Sequence, residues 1–215
     1  KAKGVINSQV NTTVSKSVDL TLWLLVPCSV FLLTNTSSVV KLLYFHGKFT
    51  LPSVQATEQA LFAYSFGLLG YGLIKVLTSF YYAKDNTRYP MNVSIVGIFT
   101  NFILNYYLVD IYGYQGLAYT TSAVVSANAL LLLLGVTRMG VQLPLRRYLK
   151  LLLALLLLSG LIYQLQLVTT YYLQGLIESI KLQSFSILSI NLIIMVAIYL
   201  LGASIYYQKN PKTFF

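Results

Sequence analysis

The sequence predicts an all-α membrane protein that crosses the bilayer about six times. Of its 215 residues, 57% are hydrophobic and only 9% are charged, whereas about a quarter of the residues of a soluble domain are charged. The mean hydropathy of +0.71 points the same way. Because a helix needs about 20 apolar residues to cross the hydrocarbon core, the long apolar runs of this chain exclude a soluble fold.

The first three predicted helices are Val18–Tyr44, Gln55–Tyr82 and Pro90–Val109. The first begins where a stretch rich in Asn, Thr, Ser and Lys gives way to an apolar run. We expect a kink at Pro27, which lies inside that run, and an end or a break at Thr34–Ser38. The second and third helices start at or just after a proline, where a missing amide hydrogen costs least.

The last three predicted helices are Tyr114–Val136, Leu145–Thr169 and Ser184–Tyr207. Only a short turn separates the first of them from the preceding helix, which predicts a hairpin. Pro144 precedes the second, and its Leu149–Leu158 segment is almost entirely Leu and Ala. Such a composition is typical of a helix that faces lipid.

The start of the chain is polar and does not begin with Met. We therefore expect a piece of a longer protein, in which residues 1–17 form a truncated polar segment. A cleaved signal peptide is excluded, because the first apolar run is long and several others follow it.

The distribution of Lys and Arg predicts the orientation. With six crossings, the termini and the even connections lie on one side and hold eleven of the fifteen basic residues, whereas the odd connections hold three. The positive-inside rule then places both ends of the chain in the cytoplasm. The cluster of Arg146, Arg147 and Lys150 lies on that side, where it either anchors the topology or contacts anionic lipid headgroups.

Enzymatic and nucleic-acid functions are excluded by the residues present. The five acidic residues form no close pair that could hold magnesium at a pyrophosphate, and Gly47-Lys48 lacks the glycine-rich lead of a phosphate-binding loop. Cys28 and His46 are the only residues of their types, so an intrachain disulfide and a metal site of Cys and His are excluded. The positive charges are dispersed among membrane loops instead of forming a patch for nucleic acid.

Lys75 is the most informative single residue, because it lies inside the second apolar run. A lysine at the centre of a transmembrane helix costs about 2.5 to 3.5 kcal/mol on insertion scales. Two interpretations remain open. The side chain either extends to the headgroups or lines a water-filled cavity that receives an anionic substrate, for which Gly67, Gly70 and Gly72 leave room.

A second set of polar residues lies on the predicted hairpin. Asn101 and Asn105 are four residues apart and share one face of the third helix, and Thr121 belongs to the fourth helix. These side chains either join the two helices by hydrogen bonds, typically worth less than about 1 kcal/mol each, or form an ion or substrate site. The sequence leaves both interpretations open.

Several segments in order resemble the MurJ (MviN) lipid II flippase family of the multidrug, oligosaccharidyl-lipid and polysaccharide exporter superfamily. They are Tyr44–Thr50, Ala60–Leu68, Lys75–Leu77, Phe80–Pro90, Asn105 and Gly116–Ser122. The resemblance is continuous from about Asp19 to Arg138 and weaker beyond. The Phe80–Pro90 segment contributes a charged cytoplasmic loop motif with Lys84, Asp85 and Arg88.

The resemblance implies a fold and a function. On the family's fourteen-helix template, this chain is similar to helices nine to fourteen, so residues 18–138 form part of the C-terminal lobe and residues 139–215 a terminal helix pair with a cytoplasmic tail. The implied function is to flip lipid II, the undecaprenyl-pyrophosphate-linked peptidoglycan precursor, across the bacterial inner membrane by alternating access, without covalent chemistry. The implied partners are the substrate, membrane lipids and the missing N-terminal lobe.

The resemblance further implies site roles and a driving force. Lys75 suits the family's cationic cavity, whose essential arginines lie mostly in the missing lobe. Some members couple to sodium through an acid on helix seven and polar residues on helices eleven and twelve, and Asn101, Asn105 and Thr121 match the latter positions. Helix seven is missing from this chain, and Asn105 stands where an aspartate can occur. No cofactor is implied; a sodium ion or the membrane potential is the expected driving force.

Two alternatives to a lipid II flippase remain open. Within the same superfamily, the chain is alternatively part of a flippase for polysaccharide-linked lipids or of a multidrug exporter. In another class, it is a membrane scaffold from a split gene that transports nothing.

Overall fold

The computed structural model describes residues 2–141, 143–174 and 179–209, and all regular secondary structure in these ranges is helical. This confirms the predicted fold class. The helices, in chain order, are α1 (Ala2–Tyr44), α2 (Leu51–Ala83), α3 (Arg88–Arg138), α4 (Leu145–Gln174) and α5 (Ile180–Lys209).

The helix α3 contains both helices of the predicted hairpin. Its single non-helical residue is Gly113, with φ 58° and ψ −146°, between the ranges 88–112 and 114–138, which we call its first and second halves. Asn101 bonds to Thr121, and the Tyr89 hydroxyl donates to the carbonyl of Leu131. Residues near Gly113 bond to residues just beyond it, and residues far before it bond to residues far beyond it. The two halves therefore run antiparallel, as predicted.

The backbone of Gly113 explains how the chain reverses at one residue. Its φ and ψ lie near a region that is almost exclusive to glycine. An ideal Cβ atom built at Gly113 meets nothing within 4 Å. A substitution there would therefore act through backbone conformation alone.

The change Gly113→Ala is expected to lower the free energy of unfolding by about 1–2 kcal/mol, since a Cβ atom destabilises a positive φ. The measurement is the melting temperature of the purified protein in detergent. Gly160→Ala in α4 is the matched control, because a Cβ there also meets nothing and alanine favours a helix by about 1 kcal/mol. An equal melting temperature for wild type and Gly113→Ala would show that the hairpin does not depend on this glycine.

Four helices within the described ranges are long and apolar enough to cross a membrane: Thr12–Tyr44, Leu51–Ala83, Arg88–Arg138 and Ile180–Gly202. Because α3 folds back on itself, it supplies two crossings. The 30 residues of α4 extend about 45 Å at the helical rise, so its length also suffices. The positions of all six predicted helices therefore agree with the structure to within five residues, apart from the start of the first.

The first helix begins at Ala2, so the predicted start at Val18 is wrong. Val14, one turn before that start, belongs to a stripe of buried residues four apart with Val18, Leu22 and Val26. This stripe shows that one face of α1 continues to pack beyond the apolar run. The run marks the segment suited to the membrane, whereas the helix extends further.

The break expected over Thr34–Ser38 is confirmed at Asn35, whose φ of −113° and ψ of 16° are not helical. The backbone remains within a helix through Pro27. The kink expected at that proline stays a prediction.

The helices pack in a defined order. Helix α2 lies between α1 and α3, whereas α4 and α5 contact each other and α1. Glycines permit close approach on both sides of α2: a Cβ at Gly72 would strike Leu25 and Thr21 of α1, and a Cβ at Gly67 would lie 2.9 Å from Ser122 Oγ of α3. One continuous core contains buried residues of all five helices.

Candidate functional site

An open groove of ≈ 530 Å³ lies between α2 and the two halves of α3. No charged residue of the described chain lines it. Its apolar side chains are accompanied by the polar residues Tyr71, Ser94, Asn101, Asn105, Thr121 and Asn128. The groove therefore offers hydrogen-bonding groups in an uncharged setting.

The structure brings the three predicted polar residues of the hairpin together. Asn105 Nδ2 donates to Asn101 Oδ1 at 2.5 Å, and Asn101 Nδ2 donates to Thr121 Oγ1 at 3.4 Å. Thr121 Oγ1 in turn donates to the backbone carbonyl of Leu117 at 2.8 Å. The amides thus form a directed chain of hydrogen bonds that links the two halves of α3.

Within the described residues, one oxygen of this chain of amides has no hydrogen-bond partner. It is Asn105 Oδ1, which is buried. A buried carbonyl oxygen without a donor is destabilising by about 1–3 kcal/mol, so this atom is a candidate ligand for a cation or for a polar group of a substrate.

A glycine brings Asn128 into the groove. A Cβ at Gly97 would clash with the side-chain amide of Asn128. Asn128 was not among the candidate site residues predicted from the sequence. Gly97, the small residue that faces it from the first half of α3, was the signal that could have predicted its position in the groove.

Lys75 lies on the exposed face of α2, one turn after Tyr71, which lines the groove. Residues four apart share a helix face, so the ammonium group projects from the same side as the groove without belonging to its lining. Tyr64, Tyr71 and Tyr82 are exposed on that face too, at helical spacings from Lys75. The structure gives Lys75 a surface position beside the polar residues of the hairpin.

The predicted loop motif forms an ordered turn between α2 and α3. The amide of Lys84 donates to Tyr81 O at 3.1 Å, and the amide of Asn86 donates to the same oxygen at 3.0 Å. Asp85 adopts a positive φ of 54°, which Asp tolerates better than most residues. The side chains of Lys84, Asp85 and Arg88 are exposed, as charged groups beside a membrane should be.

Two tyrosines that the sequence did not single out bond to the second half of α3, Tyr81 from α2 and Tyr89 from the first half of α3. The hydroxyls of Tyr81 and Tyr89 donate to the carbonyls of Leu132 and Leu131, both at 3.0 Å. Their rings stack with centroids 5.2 Å apart, against Gly135. We call these two residues the tyrosine pair. It holds α2 and the two halves of α3 together near the end of α2 that precedes Lys84.

Near the opposite end of α2, side-chain hydrogen bonds to Gln59 join this helix to α3. Tyr114 and Gln115, which follow the reversal at Gly113, both donate to Gln59 Oε1. Ser122 Oγ donates to Ala63 O at 2.7 Å one turn further in. Hydrogen bonds therefore hold the hairpin to α2 near both ends of that helix.

Comparison with known proteins identifies similar chains. The model of the family "Lipid II flippase MurJ" matches residues 6–183. A probable lipid II flippase MurJ from Vibrio cholerae is 33% identical over 129 residues, which are 60% of this chain and 25% of the relative. A probable lipid II flippase MurJ from Buchnera aphidicola subsp. Schizaphis graminum is 31% identical over 182 residues, or 82% of this chain and 35% of the relative.

A solved structure is similar as well. It is titled "Lipid II flippase MurJ, inward closed conformation", is 26% identical, and superimposes with a TM-score of 0.77 over 95% of this chain and 41% of its own. The chain therefore spans well under half the length of these relatives.

Proposed function

The chain belongs to the MurJ family of lipid II flippases, and from this we propose that it forms the C-terminal part of a transporter that flips lipid II from the inner to the outer leaflet. The observation that carries the proposal is the superposition of 95% of the chain on a MurJ structure. It supports a shared arrangement of helices beyond the shared sequence. We use "full-length flippase" for this chain together with a first lobe.

We propose that residues 18–138 belong to the C-terminal lobe and residues 139–215 to a terminal pair of helices, preceded by the polar segment 1–17. The packing supports this division, because α2 joins α1 to α3, whereas α4 and α5 contact α1. The first half of α3 exposes large apolar side chains over much of its surface, among them Ile98, Phe102 and Tyr106. Lipid and the first lobe would cover that surface.

We propose that Lys75 faces the space between the two lobes and binds the pyrophosphate of lipid II. Its exposure beside a polar groove supports this role, since a lysine in a transmembrane helix is stable where it meets water or an anion. Alternating access then exposes the bound headgroup first to the cytoplasm and later to the outside. No bond of the substrate is made or broken.

We propose that the membrane potential drives transport. In this proposal, the role of Asn101, Asn105 and Thr121 is to form the hydrogen bonds that link the two halves of α3. A sodium ion is the second candidate, because the buried Asn105 Oδ1 has no hydrogen-bond partner in the described chain. The groove offers no carboxylate, however, and carboxylates are common ligands of hard cations in proteins.

The ion dependence separates these two driving forces. Replacing Na⁺ by K⁺ at constant membrane potential is expected to change the flipping rate of the full-length flippase in proteoliposomes by less than about twofold, because a site of neutral amides binds Na⁺ weakly. A rate that collapses in K⁺ and is restored by Na⁺ would establish sodium coupling. Asn105→Asp is the matched variant, since it adds the missing carboxylate and should introduce sodium dependence.

For topology, we propose that both ends of the chain and the turn at Lys84–Arg88 face the cytoplasm of the inner membrane. A cysteine at Asn86, introduced with Cys28→Ser, is expected to resist impermeant thiol reagents added to intact cells, and Lys48→Cys is expected to react, because Lys48 lies in the opposite, exposed loop. Reaction at position 86 with protection at position 48 would reverse the orientation.

The experiment that tests the function is replacement of MurJ in depleted cells by the full-length flippase. Restored growth is expected from a lipid II flippase. A related flippase of polysaccharide-linked lipids, a multidrug exporter or a scaffold would reach the membrane without restoring growth.

A further inference from the structure

A buried chain of hydrogen bonds joins α1, α4 and α5. Asn191 of α5 is 0% exposed and Asn35 of α1 is 3% exposed. Thr169 Oγ1 donates to Asn191 Oδ1, and Asn191 Nδ2 donates to Asn35 Oδ1, both at 2.7 Å. Asn191 lies within a helix of mean hydropathy 2.3, so a buried amide there calls for a reason.

The helix turn that Asn191 contacts is the one that departs from helical geometry. Asn35 is the non-helical residue of α1, and several side chains around it bond to backbone carbonyls of the preceding turn. Asn35 Nδ2 donates to Phe31 O at 3.0 Å, and the hydroxyls of Thr34 and Thr36 donate to Val30 O and Leu32 O. Hydroxyl groups bonded back to the carbonyl four residues earlier tend to bend a helix.

The bond from α5 has a fixed direction. The Asn35 amide nitrogen donates to Phe31 O and to Thr34 Oγ1, so both of its hydrogens are used. Its oxygen is left to accept the bond from Asn191 Nδ2. The Asn191 oxygen accepts a hydrogen bond from the hydroxyl of Thr169. The amide nitrogen of Asn191 therefore faces Asn35 at the bend.

From this geometry we infer that Asn191 is a positioning residue that holds α1 bent at Asn35, so that the bend and the place of the α4–α5 pair change together. Helix α1 packs on α2, which carries Lys75 and one wall of the groove. The terminal pair thereby acts on the shape of the lobe without touching substrate. The bend is a property of the helices and does not depend on the proposed function.

The test is a distance measurement between spin labels in the full-length flippase in lipid nanodiscs, with Cys28→Ser to remove the free thiol. Labels at Leu43, beyond the bend, and Ile111, at the tip of the hairpin, report on the bend; both positions are exposed. Labels at Leu24, before the bend in α1, and Ile98, in the first half of α3, serve as the reference pair. Loss of a kink of about 20° moves the end of a nine-residue segment sideways by about 4 Å.

In Asn191→Leu, the distance from Leu43 to Ile111 is expected to shift by about 4 Å, while the reference distance remains unchanged. The variant Asn35→Ala removes the side chain that Asn191 contacts at the bend. Adding Asn191→Leu to Asn35→Ala is expected to cause no further change in this distance. An unshifted distance in Asn191→Leu would overturn the inference, as would an additional shift in the double variant.

A matched control separates positioning from general loosening of the helix pair. Ser159 and Tyr199 form another buried hydrogen bond between α4 and α5, at 3.0 Å, and Tyr199→Phe removes it while leaving the bond to Asn35 intact. This variant is expected to keep the wild-type distances. A shift as large as that of Asn191→Leu would show that any loosening straightens α1, and the inference would fail.

A milder variant keeps the inference testable if Asn191→Leu does not fold. Thr169→Val leaves the Asn191 donor in place but frees its oxygen, so a smaller shift in the same direction is expected. Wild-type distances in Thr169→Val would then count against the hydrogen-bonded chain.

Discussion

Replacing Lys75 by Met is expected to lower the rate of lipid II flipping by the full-length flippase about tenfold or more. Met keeps the length of the side chain and removes its charge. A hydrogen bond to a charged group contributes about 1.5–3 kcal/mol, and each 1.4 kcal/mol is a factor of ten. The measurement is the initial rate at which lipid II becomes accessible on the far side of proteoliposomes.

Two further variants serve as controls for Lys75. Lys75→Arg keeps a positive charge on an exposed face of α2 and should retain much of the rate, whereas Lys48→Met removes a lysine from an exposed loop and should have no effect. A normal rate in Lys75→Met would mean that the ammonium extends to the headgroups and takes no part in transport.

Placing a methyl group at Gly135 is expected to cause the largest loss of stability. An ideal Cβ there would lie 2.6 Å from Cε1 of Tyr89 and closer still to the hydroxyl of Tyr81. Tyr81 is fully buried and has little room to move. Gly135→Ala should therefore displace the tyrosine pair, break its bonds to Leu131 and Leu132, and lower the free energy of unfolding by about 2–4 kcal/mol.

The measurement for Gly135→Ala is the melting temperature in detergent, with Gly160→Ala as the control for adding a methyl group to a helix. Tyr81→Phe should rescue Gly135→Ala in part, because it deletes the hydroxyl nearest the new methyl group while Tyr89 stays in contact. If Gly135→Ala melts as the wild type does, α2 and α3 are not in close contact at this end.

Much of the fold followed from periodicity and composition. Apolar runs of membrane-spanning length located five of the six helices to within a few residues, and the short turn around Gly113 predicted the hairpin. Asn101 and Asn105 were assigned to one helix face from their spacing, and in the structure Asn105 donates to Asn101, which in turn donates to Thr121. Such features depend on residues near one another in sequence, which is why the sequence reveals them.

Contacts between distant segments could not be predicted in this way. Asn35 and Asn191 are separated by 156 positions, and nothing in either apolar run indicates which polar side chain the other meets. The tyrosine pair depends on the absence of a side chain at Gly135, which has a meaning only when the facing helix is known. The start of α1 was missed because helix formation and membrane burial are different properties.

We propose that this chain carries the C-terminal part of a lipid II flippase, and transbilayer movement of lipid II in proteoliposomes tests this most directly. Full-length flippase is expected to move lipid II well above the rate of protein-free liposomes, and Lys75→Met in the same preparation should lower that rate about tenfold or more. Folded, correctly inserted wild-type protein that leaves lipid II at the baseline rate would contradict the claim.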